Sequence, residues 1–135
     1  MGQRDLAIVE WHDGVLARVE EVEDGVRLQF SRVLVYRELE QDEYDIEACR
    51  AVLELREGRL SASANRKEIS DCELDGPCKS YDVQRLLAGI GGGKVRFVMT
   101  DGSELATEFL SAKLELLEPF SRVEHWSGPL FNSRP

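Results

Sequence analysis

Four Asp-Gly dipeptides punctuate the chain, and they constrain its fold more than any other feature. Three of the four lie between stretches of β-compatible apolar residues. A type I′ hairpin turn needs a positive φ at both central residues, which Gly adopts without steric cost and Asp tolerates. Asp-Gly between alternating apolar segments therefore predicts sequential β-hairpins. The dipeptides are Asp13-Gly14, Asp24-Gly25, Asp75-Gly76 and Asp101-Gly102.

The dipeptides differ in what they predict. The first two each join two alternating segments and predict a hairpin. The third, at 75–76, is followed by Pro77 and predicts entry into a loop. The fourth, at 101–102, predicts a hairpin only if the segment after it is a strand.

Alternating apolar and polar residues predict the strands themselves. Asp82 as N-cap and Gly89 as terminator predict one short helix near residues 82–88. A jump in the apolar phase predicts a β-bulge near Ser31-Arg32. We expect an all-β, mainly antiparallel fold, either a sandwich or a partly open barrel, with about eight strands and this one helix. The predicted strands cover residues 6–11, 15–23, 26–38, 49–56, 60–65, 68–74 and 94–99, and part of 103–118.

Residues 103–118 fit two templates. Their apolar positions recur at near-helical spacing, and Pro119 would stop a helix. The same positions fit two strands whose apolar phase changes at Leu110. We favour strands because the Asp-Gly turn at 101–102 requires an antiparallel partner directly after it.

The chain carries a formal charge of −9, from 26 acidic and 17 basic residues. A field of that sign repels phosphate backbones and anionic lipids, so neither nucleic-acid nor membrane binding is predicted. The most acidic segment, 38–47, holds six carboxylates and no cation, which predicts a solvated loop. An acidic surface suits a basic protein partner, although in many bacterial cytosolic proteins it serves solubility alone.

The length of 135 residues suits a single β domain, 1–135, with a loosely held tail at 126–135. The three cysteines are an odd number, and the apolar run at 6–9 is too short for a signal peptide. We therefore expect no disulfide framework and a cytoplasmic location.

The only two histidines each adjoin one of the only two tryptophans, at 11–12 and 125–126. The first and last strands of an antiparallel sheet often lie close together, so the two imidazoles are candidates for a zinc or iron site. Against this, neighbouring residues on a strand face opposite sides, which would give each pair one buried ring and one exposed imidazole. The candidate ligands are His12, His125 and Asp13, with Glu10 or Glu124 as alternative carboxylates.

Other chemistry-bearing patterns fail on spacing. The glycine-rich tract 89–93 with Lys94 lacks the first Gly and the Ser or Thr of a phosphate loop, so no cofactor is predicted. Cys72 and Cys78 are too far apart for a zinc knuckle, and the chain has no Gly-x-Ser-x-Gly elbow. No residue is assigned a catalytic role.

The sequence therefore favours a soluble β domain of bacterial type that acts as a non-enzymatic interaction or binding module with an acidic surface. Its partner would be a basic protein or, through an exposed strand edge, a second copy of the chain. The alternative is a small-molecule or metal-binding β-barrel, or a metal-dependent enzyme, that uses His12 and His125.

Overall fold

Seven antiparallel strands and one short helix make up the part of the chain that the computed structural model describes, residues 3–58 and 67–130. The strands pair in the order β6-β5-β4-β1-β2-β3-β7, and the sheet is not closed. The predicted all-β antiparallel class is therefore confirmed. The elements are β1 (Leu6–Val22), β2 (Gly25–Glu40), β3 (Glu43–Arg56), β4 (Lys67–Asp75), α1 (Val83–Ala88), β5 (Gly93–Met99), β6 (Glu104–Phe109) and β7 (Ser111–Ser127).

Two Asp-Gly turns form the hairpins that the sequence predicts. Val22 lies opposite Gly25 across the β1–β2 turn, where Gly25 has a φ of 152°. Across the β5–β6 turn, the Met99 N–H donates to the Ser103 carbonyl at 2.8 Å. The third dipeptide, at 75–76, ends β4 and begins a loop, as predicted.

The predicted hairpin at Asp13-Gly14 is wrong, because β1 continues through it. Glu10 lies opposite Leu34 and Val15 opposite Arg32, so four residues of β1 face a single residue of β2. Asp13 has a φ of 68°, and the dipeptide uses this left-handed conformation to bend a strand rather than to reverse it. A side chain at the buried Gly14 would lie 2.8 Å from the Trp11 carbonyl oxygen, so the bend requires glycine there.

The predicted solvated loop at 38–47 is also wrong, since it forms the β2–β3 hairpin. Glu38 lies opposite Tyr44, and the turn is made at residues 41–42. Tyr44 and Ile46 are buried, which gives the acidic segment an apolar face that favours pairing. Three of its carboxylates pair with cations: Glu47 with Arg37 of β2, and Glu43 and Asp45 with His125 of β7.

Residues 103–118 form strands, so the favoured template is confirmed. β6 ends at Phe109, Leu110 is 63% exposed, and β7 begins at Ser111 with the changed phase. The helix at 83–88 and the irregular pairing near 31–32 also match the prediction. Trp126 and Ser127 belong to β7 rather than to a loose tail. The predicted strand at 60–65 and the tail beyond Leu130 lie outside the described residues.

The main core lies on one face of the sheet and centres on three aromatic rings. Trp11 of β1 lies 5.2 Å from Phe30 of β2 and 5.3 Å from Phe97 of β5, measured between ring centroids. Within the described residues, β4 pairs with β1 at two positions, and the β4–β5–β6 part places Phe97 against this face. Val83 and Leu86 of α1 complete the core. No helix among the described residues is long and apolar enough to cross a membrane.

Truncation of Phe97, which is fully buried, tests this arrangement. Phe97→Ala is expected to lower the free energy of unfolding by about 3–5 kcal/mol, because it removes the ring that joins β5 to β1 and β2. Leu110→Ala, at an exposed position, should change it by less than about 0.5 kcal/mol. Urea titration of both variants measures the difference, and equal effects would show that the aromatic cluster does not hold the sheet together.

Candidate functional site

A second, smaller apolar layer lies on the opposite side of the sheet from the main core. Its four residues are buried, yet they do not belong to the main core cluster. Residues directly opposite one another on paired strands share a face. Ile8 lies opposite Tyr36, and Tyr36 lies opposite Ile46, so these side chains form one row across β1, β2 and β3. The buried members of the layer are Ile8, Leu34, Tyr44 and Ile46.

Beside this layer lies a cavity of about 440 Å³, which we call the outer-face pocket. Its walls come from β1, β2, β4, the loop before α1 and the end of β7, so distant parts of the chain meet there. A volume of this size is in the range of small-ligand pockets. The lining residues are Ile8, Val9, Glu10, Trp11, His12, Tyr36, Ser70, Asp71, Cys72, Ser80, Tyr81, Trp126 and Leu130.

One wall is a set of aromatic and acidic side chains on neighbouring strands. The Tyr36 hydroxyl donates to Glu10 Oε2 at 2.6 Å, which fixes the carboxylate against the sheet. The Tyr36 ring meets the Tyr44 ring edge-on at 6.3 Å. Trp126 lies opposite Tyr44 on β7 and is 40% exposed, so its indole is open to an incoming group.

The other wall is a loop segment held by backbone hydrogen bonds. The Trp11 indole N–H donates to the Ser80 carbonyl at 2.7 Å, and the Val9 N–H donates to the Tyr81 carbonyl at 3.1 Å. Asp71 accepts a hydrogen bond from the Cys72 N–H at 2.8 Å. These contacts hold the Asp71 carboxylate and the backbone of residues 80–81 in place.

The charge in the pocket is acidic. Among the described residues, Glu10, Asp71 and four aromatic side chains belong to the lining, and no Lys or Arg of that part of the chain does. Aromatic faces and carboxylates both attract cations. Just outside the pocket, Lys79 Nζ lies 5.6 Å from the centroid of the Tyr81 ring, so one ring at this site already contacts an ammonium group.

The structure places the two histidines on different surfaces. His12 lines the pocket, and its Nδ1 lies 3.0 Å from the Ser70 carbonyl oxygen. His125 does not line the pocket: its Nε2 lies 2.8 Å from Glu43 Oε2. Because neighbouring residues on a strand face opposite sides, Trp126 faces the pocket and His125 faces away from it.

The proposed metal ligands therefore have different partners. Asp13 lies beside His12, with 3.5 Å between Oδ1 and Nε2. His125 contacts Glu43 and Asp45 instead. Within residues 3–58 and 67–130, no three His, Cys, Asp or Glu side chains are grouped so that they could hold a metal ion. The metal site at His12, His125 and Asp13 gains no support and stays a prediction.

The carboxylates of the acidic segment pair with Arg37, which directly precedes the segment, and with two cations of β7. Arg37 binds Glu47 with both ends of its guanidinium, at 2.8 and 3.0 Å, and this pair is buried. Asp45 lies 3.3 Å from both Arg122 and His125. These pairs neutralise part of the segment, so the acidic surface is smaller than the sequence predicts.

All three cysteines are buried and free of disulfides. Burial raises the pKa of the Cys49 thiol to about 12 and raises the pKa of the Cys72 thiol well above its ordinary value. A protonated, buried thiol is a poor nucleophile.

Most of the pocket was not foreseen from the sequence. Glu10 and His12 appear among the candidates, but Tyr36, Asp71 and Tyr81 do not. One signal was available: Leu34 and Tyr36 put apolar residues on the face of β2 that is opposite Val33 and Val35. A strand with apolar side chains on both faces needs cover on both, which indicates a second layer.

Comparison of the chain with protein-family models, with curated proteins and with solved structures found no match.

The contacts of His125 predict a pH-dependent contribution to stability. Hydrogen bonds to Asp45 and Glu43 raise the pKa of His125, and bonds from Ser127 and His125 lower the pKa of Glu43. The charged pair therefore stabilises the fold fully between about pH 4.5 and pH 6.5, the ordinary pKa values of Glu and His. The stabilisation is lost as the pH rises through the folded-state pKa of His125 or falls through that of Glu43. His125→Ala should destabilise the protein more at pH 5.5 than at pH 9.

Urea unfolding at the two pH values measures this difference. The double variant Glu43→Gln/Asp45→Asn removes both carboxylates, so in that background His125→Ala should cost nearly the same at either pH. A cost of His125→Ala in the wild type that does not change with pH would contradict the assignment.

Proposed function

We propose that the protein is a non-enzymatic binding module whose outer-face pocket takes the cationic side chain of a basic partner protein. The observation that carries this proposal is the composition of the pocket: of the residues that the structure describes, two carboxylates and four aromatic side chains line it, and no Lys or Arg does. The net charge of −9 would draw a basic partner towards the protein before contact.

The geometry suits an arginine or lysine side chain. Trp126 is open to solvent on one side of the pocket, and a cation over an indole ring contributes about 0.5–2 kcal/mol. Glu10 is already oriented by Tyr36, and a carboxylate accepts several hydrogen bonds, so it can still receive an N–H donor. Charge-assisted bonds of this kind are roughly twice as strong as neutral ones.

The state of the polar groups favours binding over catalysis. Glu10 is held by the Tyr36 hydroxyl, and His12 Nδ1 contacts a backbone carbonyl. Burial keeps the Cys72 thiol protonated. Each group is fixed by a neighbour rather than poised beside a nucleophile. Buried thiols without disulfides also agree with a reducing cytoplasm as the location.

Binding of small cationic probes tests the proposal. Nα-acetyl-arginine amide should bind, and Nα-acetyl-citrulline amide, which has nearly the same shape without the charge, should bind much more weakly. Trp126→Ala should weaken arginine binding roughly twofold to thirtyfold, because it removes about 0.5–2 kcal/mol of cation–π attraction. Glu10→Gln should weaken it by roughly tenfold through loss of a charge-assisted bond. Isothermal titration calorimetry or NMR titration measures each affinity.

Glu23→Gln is the matched control, since it removes the same charge at an exposed turn far from the pocket lining. It should leave the affinity nearly unchanged. Equal losses in Glu10→Gln and Glu23→Gln would mean that only the overall charge matters. Equal affinity for arginine and citrulline would exclude a cation site.

A further inference from the structure

The last residues of β7 form a sheet edge beside the outer-face pocket. The first part of β7 is covered, because Ala112 exchanges backbone hydrogen bonds with Ile90 at 2.8 and 3.0 Å. From Ser121 to Ser127 every residue is exposed. Among the described residues, six of these seven pair with β3 on one side, all but Val123, and the sheet ends with β7 on the other.

Only the end of this edge is regular. Glu124 lies opposite Ile46 and Arg122 opposite Glu47, so Val123 is an extra residue that bulges the strand. Pro119 interrupts the edge further back. Bulges and prolines are the usual protection of sheet edges against other strands. Residues 124–127 carry neither, and they remain able to pair.

The register shows which backbone groups point outward. The Gly128 N–H donates to the Asp42 carbonyl at 2.7 Å. Hydrogen-bonded and non-hydrogen-bonded pairs alternate along an antiparallel ladder, so Trp126 also bonds to β3. His125 and Ser127, one position away on either side, therefore direct their N–H and C=O groups away from β3, towards the edge.

A strand added at this edge would face Trp126 across a non-hydrogen-bonded position. Side chains come closest at such positions, with Cα atoms about 4.5 Å apart. The residue opposite Trp126 would therefore place its side chain on the pocket face, against the exposed indole. One ligand can therefore pair with the edge through its backbone and place a side chain in the mouth of the pocket.

The charge around the edge indicates which kind of strand would bind there. Asp42, Glu43, Asp45 and Glu124 lie on this end of β3 and β7, against Arg122 and His125 as cations. A second copy of the chain would bring another −9 charge to the same place. A basic segment is attracted to it instead.

We propose that the partner of the outer-face pocket docks as an extended basic segment that adds as a strand to residues 124–127 of β7. This inference rests on the proposed function and specifies the form of the partner. Strand addition would supply main-chain hydrogen bonds, and alternate cationic side chains would lie on the face of Trp126.

A short alternating peptide, acetyl-Arg-Val-Arg-Val-Arg-amide, tests strand addition on the intact chain. It should bind at least about tenfold tighter than acetyl-arginine amide, because each net backbone bond is worth about a fivefold gain in affinity. Two N-methylated versions keep every charge and side chain. N-methylation of the peptide residues whose N–H groups donate to β7 should abolish the gain in affinity over acetyl-arginine amide. N-methylation of the alternate peptide residues should leave this gain intact.

The protein offers a matched pair of variants. Ser127→Pro and Ser127→Ala both remove the hydroxyl that donates to Glu43, but only Ser127→Pro removes the outward N–H. The peptide should lose its gain with Ser127→Pro and keep it with Ser127→Ala. If acetyl-arginine amide still binds but the two N-methylated peptides bind with equal affinity, the strand-addition proposal is wrong and the proposed cation binding by the pocket is retained. If arginine amide itself fails to bind, the proposed function is wrong.

Discussion

The contact of Trp11 with Phe30 and Phe97 is the interaction on which the rest of the structure depends. The third distance in the cluster, between the centroids of Phe30 and Phe97, is 5.6 Å, so each ring touches the other two. Aromatic pairs at such distances contribute beyond the area that they bury. The described residues of β1 and β4 pair at two positions, and the rings add a side-chain link between β1, β2 and β5.

The same stretch of β1 builds the pocket. Trp11 lies on the same face of β1 as the buried Val9 and packs into the core. Its indole N–H donates to the Ser80 carbonyl in the opposite wall of the pocket. Glu10 and His12 lie on the other side of the strand and line the pocket. One bent segment therefore supplies the core, the wall and the acidic group, and a change at Trp11 would alter the pocket as well as stability.

The sequence predicted what is local and missed what is distant. The hairpin at Asp24-Gly25 follows from residues next to one another, and so does the change of phase at Leu110. The hairpin predicted at Asp13-Gly14 failed because Asp-Gly fits any left-handed turn, and only pairing with β2 shows that the strand bends there. The acidic segment was misread because its cations, such as Arg122, come from another strand. The pocket joins residues 8 to 130, which no local pattern reveals.

The most direct measurement of cation binding is the position of the two indole N–H signals in a heteronuclear NMR spectrum. Only Trp11 and Trp126 give such signals, and they differ in exposure: the Trp11 indole is buried with its N–H bonded to the Ser80 carbonyl, whereas Trp126 is 40% exposed. Titration with acetyl-arginine amide should move the Trp126 signal saturably, and the citrulline analogue should leave it in place. If the Trp126 signal stays fixed, or moves equally with both compounds, the outer-face pocket does not bind cations.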